Sequence, residues 1–212
     1  MRFLSGIIAL LVLISFPVFA ATIELTEKDD GAVLKLQPGD QVAVSVPGNP
    51  TTGYTWELAA ISVNVLEPGL EPDYVRDSDL IGAGGRYTFR FTARSHGYTR
   101  IILAYLRKWE KEVPPVKTFE ITADVNSSRE KKPVTTVNYV SESRATLTAS
   151  FDPNTNEVQV MLPDKRTIKL PLAISASGVR YSNAYETFWE HHGNCTYTKG
   201  GKVVFEGTAS FQ

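Results

Sequence analysis

Cysteine is nearly absent: Cys195 is the only one in 212 residues, so no intrachain disulfide can form. Histidine is scarce too, with three in the chain, and two of them, His191 and His192, stand close to that cysteine. A Cys–His nucleophile pair and a metal site therefore have to be weighed. Adjacent residues on a strand point to opposite faces, so the two histidines could chelate together only from a turn. A small buried thiol is the ordinary state of such a cysteine, and neither metal nor cofactor is expected. No nucleophile, base and orienting group can be assembled elsewhere, which argues against an enzyme. Charge of one sign is also lacking: the net charge is −1 and the basic residues are scattered, so there is no electrostatic footprint for nucleic acid. The one long apolar run, Ile7 to Phe19, follows Arg2 and ends at Val18-Phe19-Ala20. It is too short for a confident membrane span and reads as a secretory leader over residues 1–20, cut after Ala20. No cysteine follows that cut, as a lipid anchor would require. The expected location is periplasmic or secreted, without stable membrane insertion.

What the chain has in abundance is alternation. Apolar residues make up 42% of it, enough for two cores of about 100 residues each. Val42, Val44 and Val46 alternate with polar residues, as do Phe89/Phe91 and Phe119/Ile121/Ala123/Val125, the period of strands with one buried face. The pattern breaks at the polar stretch 126–133, which ends in proline and reads as a linker. It resumes in Leu147/Ala149/Phe151, Val158/Val160/Leu162 and Ile168/Leu170, with turns at Asp152-Pro153-Asn154 and Pro163-Asp164. Short strands at that spacing suggest a small antiparallel barrel or sandwich over 134–212. The chain is all-β.

Three segments carry the functional signal of the first unit, 21–125. Asn49-Pro50-Thr51-Thr52-Gly53-Tyr54 is an uncharged hairpin tip stiffened by Pro50, with Gly53 free to adopt positive φ. Gly82-Ala83-Gly84-Gly85 precedes one strand and Arg107-Lys108-Trp109 ends another. Singly, each has a plainer reading: a common turn, a mobile connector, a surface charge beside a strand-end aromatic. In order and spacing the three together resemble the NPTTGY, GxGG and RPW loops of the chagasin family, over roughly Thr22 to Val125. The resemblance implies an immunoglobulin-like β-sandwich that blocks papain-like cysteine proteases reversibly. The contact residues it implies are Asn49, Pro50, Thr51, Thr52, Gly53, Tyr54, Gly82, Gly84, Gly85, Arg107 and Trp109. Lys108 stands where the family usually has proline, so a less rigid loop is expected there.

In the second unit, Ile174-Ser175-Ala176-Ser177-Gly178-Val179-Arg180-Tyr181, with Thr146–Phe151 before it and Phe188-Trp189 after it, resembles the C-type lysozyme inhibitor family, periplasmic and membrane-bound β-barrels. The implied lysozyme contacts are Ser177, Gly178 and Tyr181 together with a lysine loop. Here His191 or His192 replaces that lysine, and a histidine is only partly charged near neutral pH. The family's bridged cysteines are missing, with Ser141 and Thr208 in their places, which forgoes roughly 2–5 kcal/mol. A protease inhibitor carrying a second, lysozyme-directed domain is the leading reading. An envelope module that binds protein or glycan without inhibiting anything is the other.

Overall fold

A computed structural model describes residues 20–110, 112–125 and 132–210. The expected leader, apart from Ala20, and most of the expected linker lie outside those residues.

Nine strands build the first unit: β1 (Thr22–Thr26), β2 (Val33–Leu36), β3 (Gln41–Gly48), β4 (Thr55–Ala60), β5 (Leu66–Pro68), β6 (Asp73–Arg76), β7 (Gly85–Ala93), β8 (Gly97–Leu106) and β9 (Lys117–Val125). One sheet has the order β1-β3-β7-β5, with β6 also on β7; the other runs β2-β9-β8-β4. They face each other as an immunoglobulin-like sandwich. The alternation is what makes them stack: Val42, Val44, Val46, Phe89 and Phe91 from one sheet and Ile101, Leu103, Phe119 and Ile121 from the other are buried in a single core. Each such side chain contributes about 1.5–3 kcal/mol on burial. Register decides where the loops emerge. Gly48 pairs with Gly85 at one end of the β3/β7 ladder, and Thr55 pairs with Leu106 at the matching end of β4/β8. The segments 49–54, 77–84 and 107–116 therefore leave the sandwich on the same side.

The second unit is a closed barrel of β10 (Thr135–Val140), β11 (Thr146–Asp152), β12 (Glu157–Met161), β13 (Thr167–Ala173), β14 (Val179–Ser182), β15 (Glu186–His191), β16 (Asn194–Lys199) and β17 (Lys202–Ser210). Tyr139, Leu147, Val158, Val160, Leu170, Phe188 and Tyr197 fill it. Closure leaves no free edge, and it is made by backbone pairing of β17 on β10, including Val140 with Thr208. Thr208 Oγ1 donates to Asn194 Oδ1 at 3.1 Å. Main-chain pairing thus joins these strands beside Ser141 and Thr208.

The two units are packed on each other. Ile102, on the face of β8 turned away from the sandwich core, is only 3% exposed because it clusters with Ala60 and with Ala173 of the barrel. Arg100, on the same face, donates from Nε to Glu120 at 2.6 Å and from Nη1 to Glu157 of β12 at 2.8 Å. Asn156 Nδ2 donates to the carbonyl of Tyr98 at 2.5 Å.

Candidate inhibitory loops

The 49–54 loop is ordered by its first residue. Asn49 caps a single 3-10 turn over Pro50–Thr52: its Oδ1 accepts from Thr51 N at 3.1 Å and from Thr51 Oγ1 at 2.7 Å. Thr52 Oγ1 returns a bond to Asn49 O at 2.6 Å. Gly53, at φ 81, ends the turn in the left-handed region, which glycine enters without a Cβ penalty. Pro50, Thr51 and Thr52 stand exposed at the tip. Underneath, Tyr105 accepts a hydrogen bond on its hydroxyl from Asn49 N at 2.8 Å, and its ring lies 5.4 Å from Tyr54 and 5.1 Å from Trp56. The sequence reading passed over Tyr105; its place in the inward register at the end of β8 was the available signal.

Contacts between loops make the three segments one edge. Asn49 Nδ2 donates to Gly82 O at 2.9 Å, tying the first loop to the second. Arg107 Nη2 donates to Thr52 O at 3.3 Å, and its guanidinium lies 4.4 Å over the Tyr54 ring and 6.0 Å from Trp109. Trp109 packs so tightly on Gly53 that a Cβ there would stand 2.6 Å from its Cη2. Yet Trp109 is 65% exposed, a large flat surface open to solvent and not a core residue. Glu110, 2.9 Å from Arg107, helps keep that guanidinium charged.

One expectation at this edge needs correction. Gly85 is buried at the start of β7, where a Cβ would lie 2.3 Å from Val75 O. It allows β6 to approach and offers no surface; Gly84 O instead accepts from Asp77 N at 2.9 Å to close the loop base. Lys108, which stands in place of the proline, pairs through Nζ with Glu57 of β4 at 2.8 Å.

In the barrel, Ser177 and the histidines form a second patch, joined through Trp189. Trp189 Nε1 donates to Ser177 O at 3.0 Å, as does Ser175 Oγ at 2.6 Å. Gly178, at φ 65, lies against β15 so closely that a Cβ would meet Glu190 O at 2.4 Å. His191 stacks on Trp189 with ring centroids 5.4 Å apart, and His192 meets His191 edge-on at 4.0 Å. The two histidines are neighbours because the segment turns: His192 (φ 52) and Gly193 (φ 79) form the hairpin tip. No group of three or more possible metal ligands occurs among the described residues. Tyr181 does not join this patch. Strand alternation in β14 turns it inward, 8% exposed and 5.8 Å from Phe151, and burial pushes its phenol up to about 12. Cys195 is buried as well, its thiol pushed up to about 12 by desolvation, which leaves it inert.

Comparison with known proteins matches each of the two units to a family. The model of the chagasin family of peptidase inhibitors matches residues 35–123, and that of the membrane-bound lysozyme-inhibitor of c-type lysozyme matches residues 139–205. Both are families of inhibitors, not of enzymes. Chagasin of Trypanosoma cruzi is 33% identical over 93 residues, covering 41% of this chain and 82% of its own. Amoebiasin-1 of Entamoeba histolytica is 31% identical over 104 residues, covering 48% of this chain and 97% of its own. Among solved structures, the cysteine protease inhibitor EhICP2 of Entamoeba histolytica aligns with a TM-score of 0.47 at 24% identity, over 52% of this chain and 100% of its own. The chain belongs to the chagasin family of peptidase inhibitors, with a barrel of the lysozyme-inhibitor type joined to the inhibitor sandwich.

Proposed function

We propose that the protein inhibits papain-like cysteine proteases reversibly by seating the 49–54 loop in the protease cleft, with Gly82 and Gly84 on one flank and Arg107 and Trp109 on the other. The observation that carries this is the pair of ties, Asn49 to Gly82 and Gly53 to Trp109, that hold three loops in one edge. A Thr-Thr tip brings no charge into a narrow desolvated cleft. A loop already ordered by its own hydrogen bonds loses little entropy on docking, and an exposed tryptophan beside an arginine fork is the chemistry of an interface anchor. The edge holds no reactive group, so the block is noncovalent. The full-length mature chain should inhibit papain competitively and be recovered uncleaved, with no adduct by mass spectrometry. Full papain activity in the presence of micromolar folded protein would refute the reading.

The barrel serves as the second inhibitory head, directed at C-type lysozyme through Ser177, Gly178, His191 and His192. Ser177 is offered on a loop braced by Trp189, next to two imidazoles that can donate to a catalytic carboxylate. Both heads act outside the cytoplasm, in the periplasm or after secretion. Turbidity assays with hen-type lysozyme test the second head, and cell fractionation tests the location.

A further inference from the structure

We propose that the two heads are mutually exclusive: a protease seated on the sandwich edge and a lysozyme seated on the barrel patch cannot be held at once. This inference rests on the functional reading of both heads and concerns how they regulate each other. Its first support is placement. Ile174, which opens the Ser175–Gly178 loop, lines one open cleft of about 520 Å³ together with Glu57, Leu70 and Lys108. Lys108 adjoins Trp109, and three residues of chain from Ile174 to Ser177 reach at most about 11 Å. The barrel loop thus starts from the same cleft that Lys108 lines.

The second support is the packing between the units. Tandem domains on a free linker could swing apart and accommodate two large partners. Here Arg100 is forked between Glu120 and Glu157, Asn156 is bonded to the Tyr98 carbonyl, and Ile102 is sealed against Ala173. Separating the units would strip Ile102 of its cover and leave Glu157 without its partner. Glu112, in the segment that follows Trp109, also pairs with Lys202 of the barrel at 3.0 Å.

Partner size then decides. A standard complex covers about 800 Å² per partner, a patch roughly 30 Å across. A globular enzyme of about 200 residues has a radius of roughly 20 Å and overhangs such a patch on every side. Of the three loops, the 107–116 segment is tied to the barrel through Glu112 and Lys202 and shares a cleft with Ile174, so an enzyme seated on Trp109 overhangs toward the Ser175–Gly178 loop.

The test uses the full mature chain, papain whose catalytic thiol carries a methylthio block, and hen-type lysozyme. Calorimetry gives the affinity of each enzyme for the free protein and for the protein saturated with the other; light scattering on the eluted complexes gives their stoichiometry. Saturation with papain should weaken lysozyme binding at least 100-fold, lysozyme should weaken papain by the same factor, and only 1:1 complexes should elute. A 1:1:1 complex with both affinities unchanged within twofold overturns the exclusion while leaving both inhibitory readings standing. Failure of either enzyme to bind the free protein overturns the reading of that head, and the exclusion with it.

Discussion

Replacing Gly53 by alanine separates two costs that the structure superimposes at one position. The backbone there sits at φ 81, where an L side chain costs about 1–2 kcal/mol. The new methyl would also stand 2.6 Å from Trp109 Cη2, closer than carbon atoms approach, so one must move. Trp109 is the mobile partner because it lies mostly in solvent. The fold should therefore survive with a melting temperature lowered by about 2–8 °C, while the tryptophan is pushed from the place against Gly53 that the proposed docking uses. Loss of an anchor of that type is worth about 2 kcal/mol or more, so the inhibition constant for papain should rise roughly 30-fold. Gly39→Ala is the control: φ there is +99 with nothing within 4 Å of the added carbon, so it should lower stability similarly and leave inhibition alone. In a Trp109→Ala background the collision no longer exists, and Gly53→Ala should then cost little further affinity. An unchanged inhibition constant for Gly53→Ala, or the same penalty with and without Trp109, would refute this account of the edge.

Thr52→Arg places a long cation at the exposed loop tip, where a desolvated cleft cannot pair it; papain inhibition should fall by at least 100-fold with an unchanged melting curve, and retained inhibition would mean that the tip does not enter the cleft. Cys195 should resist thiol reagents at pH 8 in the folded protein and react at once in denaturant; rapid labelling of the native chain would contradict its burial. Burial would raise Glu186, but bonds from Tyr197, Lys199 and Asn183 outweigh it and hold the carboxyl below its ordinary 4.5. A carboxylate lowered on folding stabilises above 4.5 and loses that contribution as pH falls through its folded value. Barrel stability should accordingly drop below about pH 4.5, less steeply in Glu186→Gln; superimposable pH profiles would remove Glu186 from the explanation.

By itself the sequence determined the strands and the make-up of the loops. Alternation is a local property, because successive residues of any strand face opposite ways, and it named Val42, Phe91, Ile121 and Leu147 as core. The stiffness of 49–54 was legible for the same reason: a proline and a glycine impose the turn on their own neighbours, while the cap supplied by Asn49 emerged only in the structure. The tertiary structure decided everything that depends on which strands meet. The bond from Asn49 to Gly82 spans 33 positions of sequence and exists only because β3 pairs with β7. Local pattern placed Gly85 and Tyr181 beside their functional neighbours, while sheet geometry turned both into the interior. Ile102 looked like one more apolar residue of a buried strand, and only packing of the barrel on β8 made it part of an interface. The cleft that Ile174 and Lys108 both line has no sequence signature, since it arises from the docking of two separately patterned units.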